Sequence, residues 1–231
     1  MAGHPPRDRE RPLRDEPDET LLAIVADADV DRRRAALREL NRRGPRTSLL
    51  PLLDRLPPGE LASPISGALD LLGTAARPVT RSWAANPGHP LHWRSIMHLG
   101  AHGDESDVPV LLAAWDWLDG RPDDLCGYDA LATGLARIGG DRARTVLPRL
   151  HRLWFTPHSH ERAAYLKALL VLDPDNCERK LTEGVFDCEP GVRLVAVEHA
   201  PLTPLIRRRL LDLGADPLED DEVRAAAGTR L

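Results

Sequence analysis

Apolar residues recur along the chain at the three- and four-residue steps that an amphipathic helix requires. Two clear segments begin at Val108 and at Tyr128. Their apolar positions are Val108, Leu111, Leu112, Trp115 and Leu118 in the first, and Tyr128, Leu131, Leu135 and Ile138 in the second. Short stretches rich in Asp, Gly, Asn or Pro separate such segments, and that composition is typical of turns. The pattern predicts helices joined by short turns.

An arginine followed by small or aliphatic residues marks the start of five of these helices. The arginines are Arg33, Arg94, Arg162, Arg193 and Arg224. The last three lie 31 residues apart, and self-similarity at a fixed period is the signature of a stacked-repeat fold. A proline within an apolar run marks the alternate helices, where a bend is expected. These prolines are Pro51, Pro109, Pro148 and Pro204. The repeating unit is therefore predicted to be helix, turn, helix.

Seven units of this kind account for most of the chain. They are predicted to span residues 18–44, 46–73, 75–103, 105–140, 141–173, 175–200 and 202–231. The segment 1–17 is charged and rich in proline, and it has no apolar core. A segment of that composition is predicted to be a disordered arm. The sequence thus predicts an all-α repeat domain over residues 18–231 that follows an arm over residues 1–17.

The composition agrees with helices and limits the choice of partner. Aromatic residues make up 4% of the chain, and a core built mainly of Leu, Ala and Val favours closely packed helices over strands. The net charge of -5 disfavours a protein whose main task is to coat nucleic acid. The large excess of arginine over lysine is typical of a GC-rich bacterial genome. Neither a secretory signal nor an apolar run of about 20 residues is present, so a cytoplasmic protein without membrane contact is expected.

The pairing of a proline-bearing first helix with an Asp-to-Arg second helix resembles the HEAT-repeat family, especially its short bacterial form. The resemblance implies a right-handed α-solenoid of about six to seven antiparallel helix pairs. In that family an aspartate at the turn and an arginine six positions later form a ladder between successive repeats. Two pairs match this spacing, Asp27 with Arg33 and Asp187 with Arg193. Arg94, Arg162 and Arg224 lack the aspartate, so interruptions of the ladder are expected there.

Histidines form the candidate metal ligands. His98 and His102 stand four residues apart, but Gly100 and Gly103 are expected to end the helix before they form a pair. HEAT-like di-iron enzymes such as deoxyhypusine hydroxylase need four His-Glu dipeptides, and this chain has only His160-Glu161. Nearby His158 belongs to the same polar stretch. The cysteines, Cys126, Cys177 and Cys188, have no paired metal-binding spacing. The sequence therefore predicts no metal and no cofactor.

Tryptophan and arginine supply the candidate partner-binding residues. Trp115 and Trp117 are two residues apart, so on one helix they cannot share a face, and one of them should be exposed. An exposed tryptophan is a typical binding hot spot. The candidates are Trp93, Trp115, Trp117, Trp154, Arg94 and Arg162. Acidic turns recur at 15–19, 27–31, 119–124 and 216–222, and an acidic rim would suit a basic protein partner.

Two functions follow from these features. The first is a non-catalytic protein-binding scaffold or adaptor, such as a regulator, an assembly factor or an immunity-type protein, that uses the second helices of its repeats. The alternative is a relative of the HEAT-like alkylpurine DNA glycosylases, which cradle damaged DNA in a basic groove. That alternative requires a basic groove around Arg94, Arg137 and Arg162. No Gly-rich phosphate loop, nucleophile elbow or pair of catalytic carboxylates is recognisable, and no catalytic residue is predicted.

Overall fold

The computed structural model describes residues 13–121, 126–156 and 158–231. Within these ranges every regular element is a helix, and fifteen of them are α-helices. The protein is therefore all-α, as the sequence predicts. The described residues form two compact units, residues 13–103 (unit 1) and residues 104–231 (unit 2). In the same ranges no helix is both long enough and apolar enough to cross a bilayer.

Unit 1 contains six α-helices. They are α1 (Asp18–Asp27), α2 (Val30–Arg43), α3 (Leu50–Leu53), α4 (Pro58–Leu72), α5 (Arg77–Ala84) and α6 (His92–His102). Helix α1 packs on α2, and α5 packs on α6. The second helices of the predicted units also contact one another, α2 with α4 and α4 with α6. Leu, Ile, Val and Trp side chains from all these helices form the core of the unit.

Unit 2 contains the other nine α-helices of the described residues. They are α7 (Val108–Asp119), α8 (Tyr128–Ile138), α9 (Gly140–Arg144), α10 (Leu147–Leu153), α11 (Arg162–Leu172), α12 (Glu178–Gly184), α13 (Pro190–His199), α14 (Pro204–Ala215) and α15 (Asp221–Arg230). The helices pair as α7 with α8, α10 with α11, α12 with α13 and α14 with α15. The second helices of these pairs contact in chain order, α8 with α11, α11 with α13 and α13 with α15.

Proline lies in the first turn of most first helices. Pro51, Pro109, Pro148 and Pro204 occupy that position in α3, α7, α10 and α14. The first turn lacks acceptors for its N–H groups, so the missing N–H of proline costs nothing there. These prolines therefore lie where helices begin. A proline bends a helix only from a position deeper inside it, so the first-turn positions give no reason for the predicted bends.

One proline does lie inside a helix. Pro64 of α4 has no N–H for the carbonyl of Glu60, one turn before it. The guanidinium of Arg34, on α2, donates to that carbonyl at 3.2 Å. Asn41, also on α2, donates to the Pro64 carbonyl at 2.8 Å. The contact between α2 and α4 thus supplies a donor for the one carbonyl that the proline leaves without its helical partner.

The predicted arm differs from the structure over its last residues. Residues 1–12 lie outside the described residues. Leu13–Asp15 form a single turn of 3-10 helix, and Leu13 packs against the core of unit 1. The guanidinium of Arg43 donates to the carbonyls of Leu13, Arg14 and Glu16. One arginine thus binds three carbonyls of the segment 13–17, which the sequence assigned to the arm.

The close approach of α12 to α13 requires a glycine. A Cβ at Gly184 would lie 2.9 Å from the Cβ of Ala196 and 3.5 Å from Cγ1 of Val192. We expect Gly184→Ala to lower the free energy of unfolding by about 1–2 kcal/mol, because two backbones must separate. Gly214→Ala is the matched control, since a Cβ at Gly214 meets no atom within 4 Å. Chemical denaturation should show the control equal to or above the wild type, and equal losses in both variants would contradict the close approach.

Candidate functional site

Arg162 joins two successive turns of unit 2. It starts α11, and its Nη1 donates to the carbonyl of Thr156 in its own turn at 3.1 Å. Its Nη2 and Nε donate to the carboxylate of Asp187, in the next turn, at 2.6 and 3.1 Å. The threonine at position 156 therefore does not leave Arg162 without a carboxylate, because the next turn supplies one.

Arg193 repeats this arrangement one unit later. Its Nη1 donates to the carbonyls of Asp187 and Cys188 at 2.7 and 2.9 Å. Its Nη2 donates to Oε1 of Glu219 at 2.5 Å, and the Arg193 and Glu219 side chains are only 12% and 5% exposed. In the following unit, Nη1 of Arg224 donates to the carbonyl of Pro217 at 3.3 Å. These bonds, which we name the arginine ladder, tie the turns after α10, α12 and α14 into a row.

Electrostatics in the ladder favour the ionised carboxylates. Burial raises the pKa of Asp187, but hydrogen bonds from Arg162 and from the Glu189 amide outweigh it, so the net pKa lies below the ordinary value. Burial likewise raises the pKa of Glu219, and Arg193 brings it below its ordinary value. Both carboxylates are therefore charged at neutral pH, and they neutralise their arginines.

The corresponding arginines of unit 1 find other partners. Arg33 donates to the carbonyl of Ala26 at 3.2 Å, while Asp27 ends α1 with an exposed side chain. The N-cap of α2 is Asp29, whose Oδ1 accepts two backbone N–H groups at 3.1 Å. Arg94 pairs with Asp70 of α4. In unit 1 the six-residue spacing of Asp27 and Arg33 does not bring their side chains together.

Of the four candidate tryptophans, only Trp117 is largely exposed. Trp115 is fully buried, and its ring meets Tyr128 edge-on with centroids 5.3 Å apart. Trp154 is buried and donates from Nε1 to Glu183 at 3.0 Å. Trp93 lies half-buried on α6. Trp117 is 49% exposed, and the guanidinium of Arg121 lies over its ring, 4.4 Å from the centroid.

Three further exposed apolar side chains lie in the turns that the arginine ladder joins. Phe155, Phe186 and Leu218 are 76%, 51% and 93% exposed. Each directly precedes a residue of the ladder, respectively Thr156, Asp187 and Glu219. We name Trp117, Phe155, Phe186 and Leu218 the turn edge. The last three were not predicted as binding residues, although they recur at 31 and 32 residues in the sequence.

The ends of the first helices are neighbours in chain order along this edge. Arg149 of α10 pairs with Asp116 of α7 at 2.5 Å, and Trp154 at the end of α10 bonds Glu183 of α12. Arg209 of α14 donates to the Val185 carbonyl at 3.1 Å, and its guanidinium lies 5.2 Å from the centroid of the Phe186 ring. The four side chains of the turn edge therefore follow one another along consecutive helix ends.

The acidic turns are unevenly neutralised. The turn before α15 and the start of that helix expose Asp216, Asp220, Asp221 and Glu222, and Arg224 pairs with Asp221. At the end of α7, Asp116 is paired with Arg149. Residues 122–125 of the predicted acidic segment 119–124 lie outside the described residues. Among the described residues, the acidic charge of the turn edge is therefore concentrated beside Leu218.

Both histidines of the pair in unit 1 lie within one helix, contrary to the prediction from the sequence. Helix α6 includes both His98 and His102 and ends at Gly103, so the prediction that glycine ends the helix before the pair is wrong. The two ring centroids are 4.7 Å apart. Burial lowers the pKa of His98, and repulsion from His102 lowers it further. Nε2 of His98 lies 3.1 Å from the Gly73 carbonyl oxygen. A neutral His98 that donates to this carbonyl holds α6 against the end of α4.

Comparisons of the chain with protein-family models, with curated proteins and with solved structures found no match.

Proposed function

We propose that the protein is a non-catalytic protein-binding scaffold of the HEAT-like repeat type, with its helix pairs arranged as a right-handed solenoid. The observation that carries the proposal is the turn edge. It presents four large apolar side chains on consecutive helix ends, while the arginine ladder fixes the turns that bear three of them. Exposed aromatic side chains on a rigid frame are typical hot spots of protein interfaces.

The chemistry of the edge defines the kind of partner that fits it. Two of its three aromatic rings have an arginine over them, Arg121 over Trp117 and Arg209 over Phe186. Beside Leu218 the exposed carboxylates of Asp216, Asp220 and Glu222 add negative charge. A partner protein with an apolar segment that is flanked on one side by Lys or Arg would complement both features. This surface lies at the turns, and so differs from the second-helix face that the sequence suggested.

The charges do not favour the alternative of a DNA-lesion-binding protein. A basic groove for DNA needs arginines that remain available to phosphate. Arg94 is paired with Asp70, and Arg162 makes two bonds to the carboxylate of Asp187. Two of the three arginines that define the groove are therefore neutralised by carboxylates, and we do not propose a glycosylase.

Substitutions at the turn edge should weaken partner capture and leave the fold intact. We expect Trp117→Ala, or the double change Phe155→Ser with Phe186→Ser, to reduce capture of the partner at least about tenfold, as for interface hot spots. The measurement is affinity capture from host lysate after nuclease treatment, with quantitative mass spectrometry. Circular dichroism should show unchanged helix content, because these side chains are exposed.

Leu205 and Leu211 supply a matched control. Both are exposed apolar side chains of α14, 57% and 56% exposed, and they lie outside the turn edge. The double change Leu205→Ser with Leu211→Ser should leave capture unchanged. A photo-crosslinking residue at position 186 should join the captured protein, and the same residue at position 205 should not. Equal losses in both double variants, or crosslinking only at position 205, would refute the turn edge as the binding surface.

A further inference from the structure

Cys126, His158 and Glu161 converge in unit 2, where the turn before α8 meets the turn before α11. One candidate ligand atom from each residue lies within 4.8 Å of the other two. The Sγ of Cys126 is 3.8 Å from Nε2 of His158, and Nδ1 of the same ring is 3.9 Å from Oε1 of Glu161. Thiol, imidazole and carboxylate are the three donor types that zinc sites combine.

The carboxylate of Glu161 is unusual because it is buried, with 4% of the side chain exposed. Oε1 accepts a hydrogen bond from the Gly127 amide at 2.9 Å, and Oε2 accepts one from the Tyr165 hydroxyl at 2.5 Å. Both donors are neutral. Among the described residues, no Lys or Arg pairs with Glu161, and Nδ1 of His158, 3.9 Å from Oε1, carries a charge only when the ring is protonated. Buried charges in proteins are paired or coordinate metals, so this carboxylate calls for a positive charge at the position that His158 and Cys126 face.

The backbone and the neighbouring helices hold the three donors in place. Gly127 has a φ of 101°, which favours glycine, and it forms the N-cap of α8. Its bond to Glu161 fixes the adjacent Cys126 beside the carboxylate. The Tyr165 hydroxyl, on α11, holds the other oxygen of this carboxylate through its hydrogen bond to Oε2. Hydrogen bonds of this kind orient metal-ligating carboxylates.

We propose that Cys126, His158 and Glu161 bind one divalent metal ion of the zinc class. Zinc bonds of about 2.0–2.3 Å place the donor atoms of a tetrahedral site roughly 3.3–3.8 Å apart. The three donors lie within 4.8 Å of one another, so they must approach by about 1 Å for one ion to bind all of them. The thiolate selects against magnesium and calcium, which take oxygen ligands. Binding releases the Cys126 thiol proton to solvent, and the thiolate and the carboxylate then balance the two positive charges.

Cobalt(II) added alone to the full-length protein is the probe. Cobalt(II) replaces zinc in such sites, and a thiolate ligand gives it a charge-transfer absorption in the near ultraviolet. We expect this absorption to saturate at one equivalent in the wild type and to disappear when zinc is added in competition. Cys126→Ser and His158→Asn should each weaken cobalt binding at least about 100-fold, and Tyr165→Phe should weaken it about tenfold by freeing the carboxylate.

Two controls make the test specific. Cys188 is also an exposed free thiol, so Cys188→Ser should leave the absorption unchanged. His199→Asn is the control for His158→Asn. It removes an exposed histidine that lies outside the cluster, so it should also leave the absorption unchanged. The proposal would be overturned if the wild type showed no such absorption. It would also be overturned if the absorption persisted in Cys126→Ser or was lost in Cys188→Ser. Circular dichroism of Cys126→Ser, a change at an exposed side chain, separates loss of binding from loss of fold.

Discussion

Arg193→Ala is expected to lower the free energy of unfolding by about 3 kcal/mol. This value is the lower end of the losses found when one partner of a buried ion pair is removed. Arg193 satisfies the carbonyls of Asp187 and Cys188 and pairs with Glu219, and both side chains of the pair are largely buried. Truncation leaves the Glu219 carboxylate buried without its cation and two carbonyls without a donor. Denaturant unfolding, followed by circular dichroism, measures the loss.

Arg208→Ala is the matched control for this prediction. Arg208 is 79% exposed and makes a long pair with Asp212 on the same helix at 3.5 Å. Exposed pairs of that kind contribute about 0–1 kcal/mol, so the control should barely change stability. Glu219→Gln keeps the shape of the acceptor and tests the charge, and a double-mutant cycle with Arg193→Ala isolates the pair. A loss in Arg193→Ala no larger than in Arg208→Ala would remove the arginine ladder as a source of stability.

Acid is expected to destabilise unit 2 through the same carboxylates. The net pKa values of Asp187 and Glu219 lie below their ordinary values of 3.8 and 4.5. A carboxyl group with a lowered pKa in the folded state contributes stability above its unfolded pKa, and this is lost as the pH falls toward the folded pKa. Stability should therefore fall as the pH drops below the ordinary pKa values of these groups, by at most about 1.4 kcal/mol per pH unit for each group.

Asp187→Asn tests the origin of this pH dependence. The variant removes one titrating group, so its free energy of unfolding should fall less steeply with acid than that of the wild type. Glu39 of unit 1, whose pKa is lowered to about 2 by hydrogen bonds from Arg42 and then Arg43, titrates in both proteins and cancels in the difference. Measurements of unfolding at a series of pH values give the two slopes. Identical slopes would show that Asp187 has the same pKa in the folded and unfolded states.

The sequence predicted the helices well because its periodicity and its prolines record local physics. The predicted unit 105–140 contains α7 and α8, and the predicted unit 175–200 contains α12 and α13. The positions of apolar residues and first-turn prolines depend on neighbours three or four residues away, and such positions are visible in a single chain. The contacts of residues 13–17 are not visible in this way, because the side chain that binds their carbonyls is Arg43, which lies 27 to 30 residues later.

The partners of the side chains were less predictable than the helices. Thr156 suggested an interrupted ladder at Arg162, but the carboxylate comes from Asp187 in the following turn. A single phenylalanine in a turn gives no sign of burial or exposure, so Phe155 and Phe186 were not separated from core residues. Cys126 and Glu161 are 35 residues apart, and only the contact between α8 and α11 brings their turns together. Distances of that kind depend on packing that periodicity does not encode.

The arginine ladder couples the C-terminal helix pair to the middle of unit 2. Arg193 binds the turn that carries Asp187 and the turn that carries Glu219, so fraying of α15 withdraws an acceptor from an arginine two helices away. In a row of elements joined to their neighbours, the free energy of opening grows from the end inward. Amide protons should accordingly exchange in a graded order from α15 through α13 to α11. A ligand that binds Leu218 would therefore slow amide exchange in α13 and α11, which it does not contact.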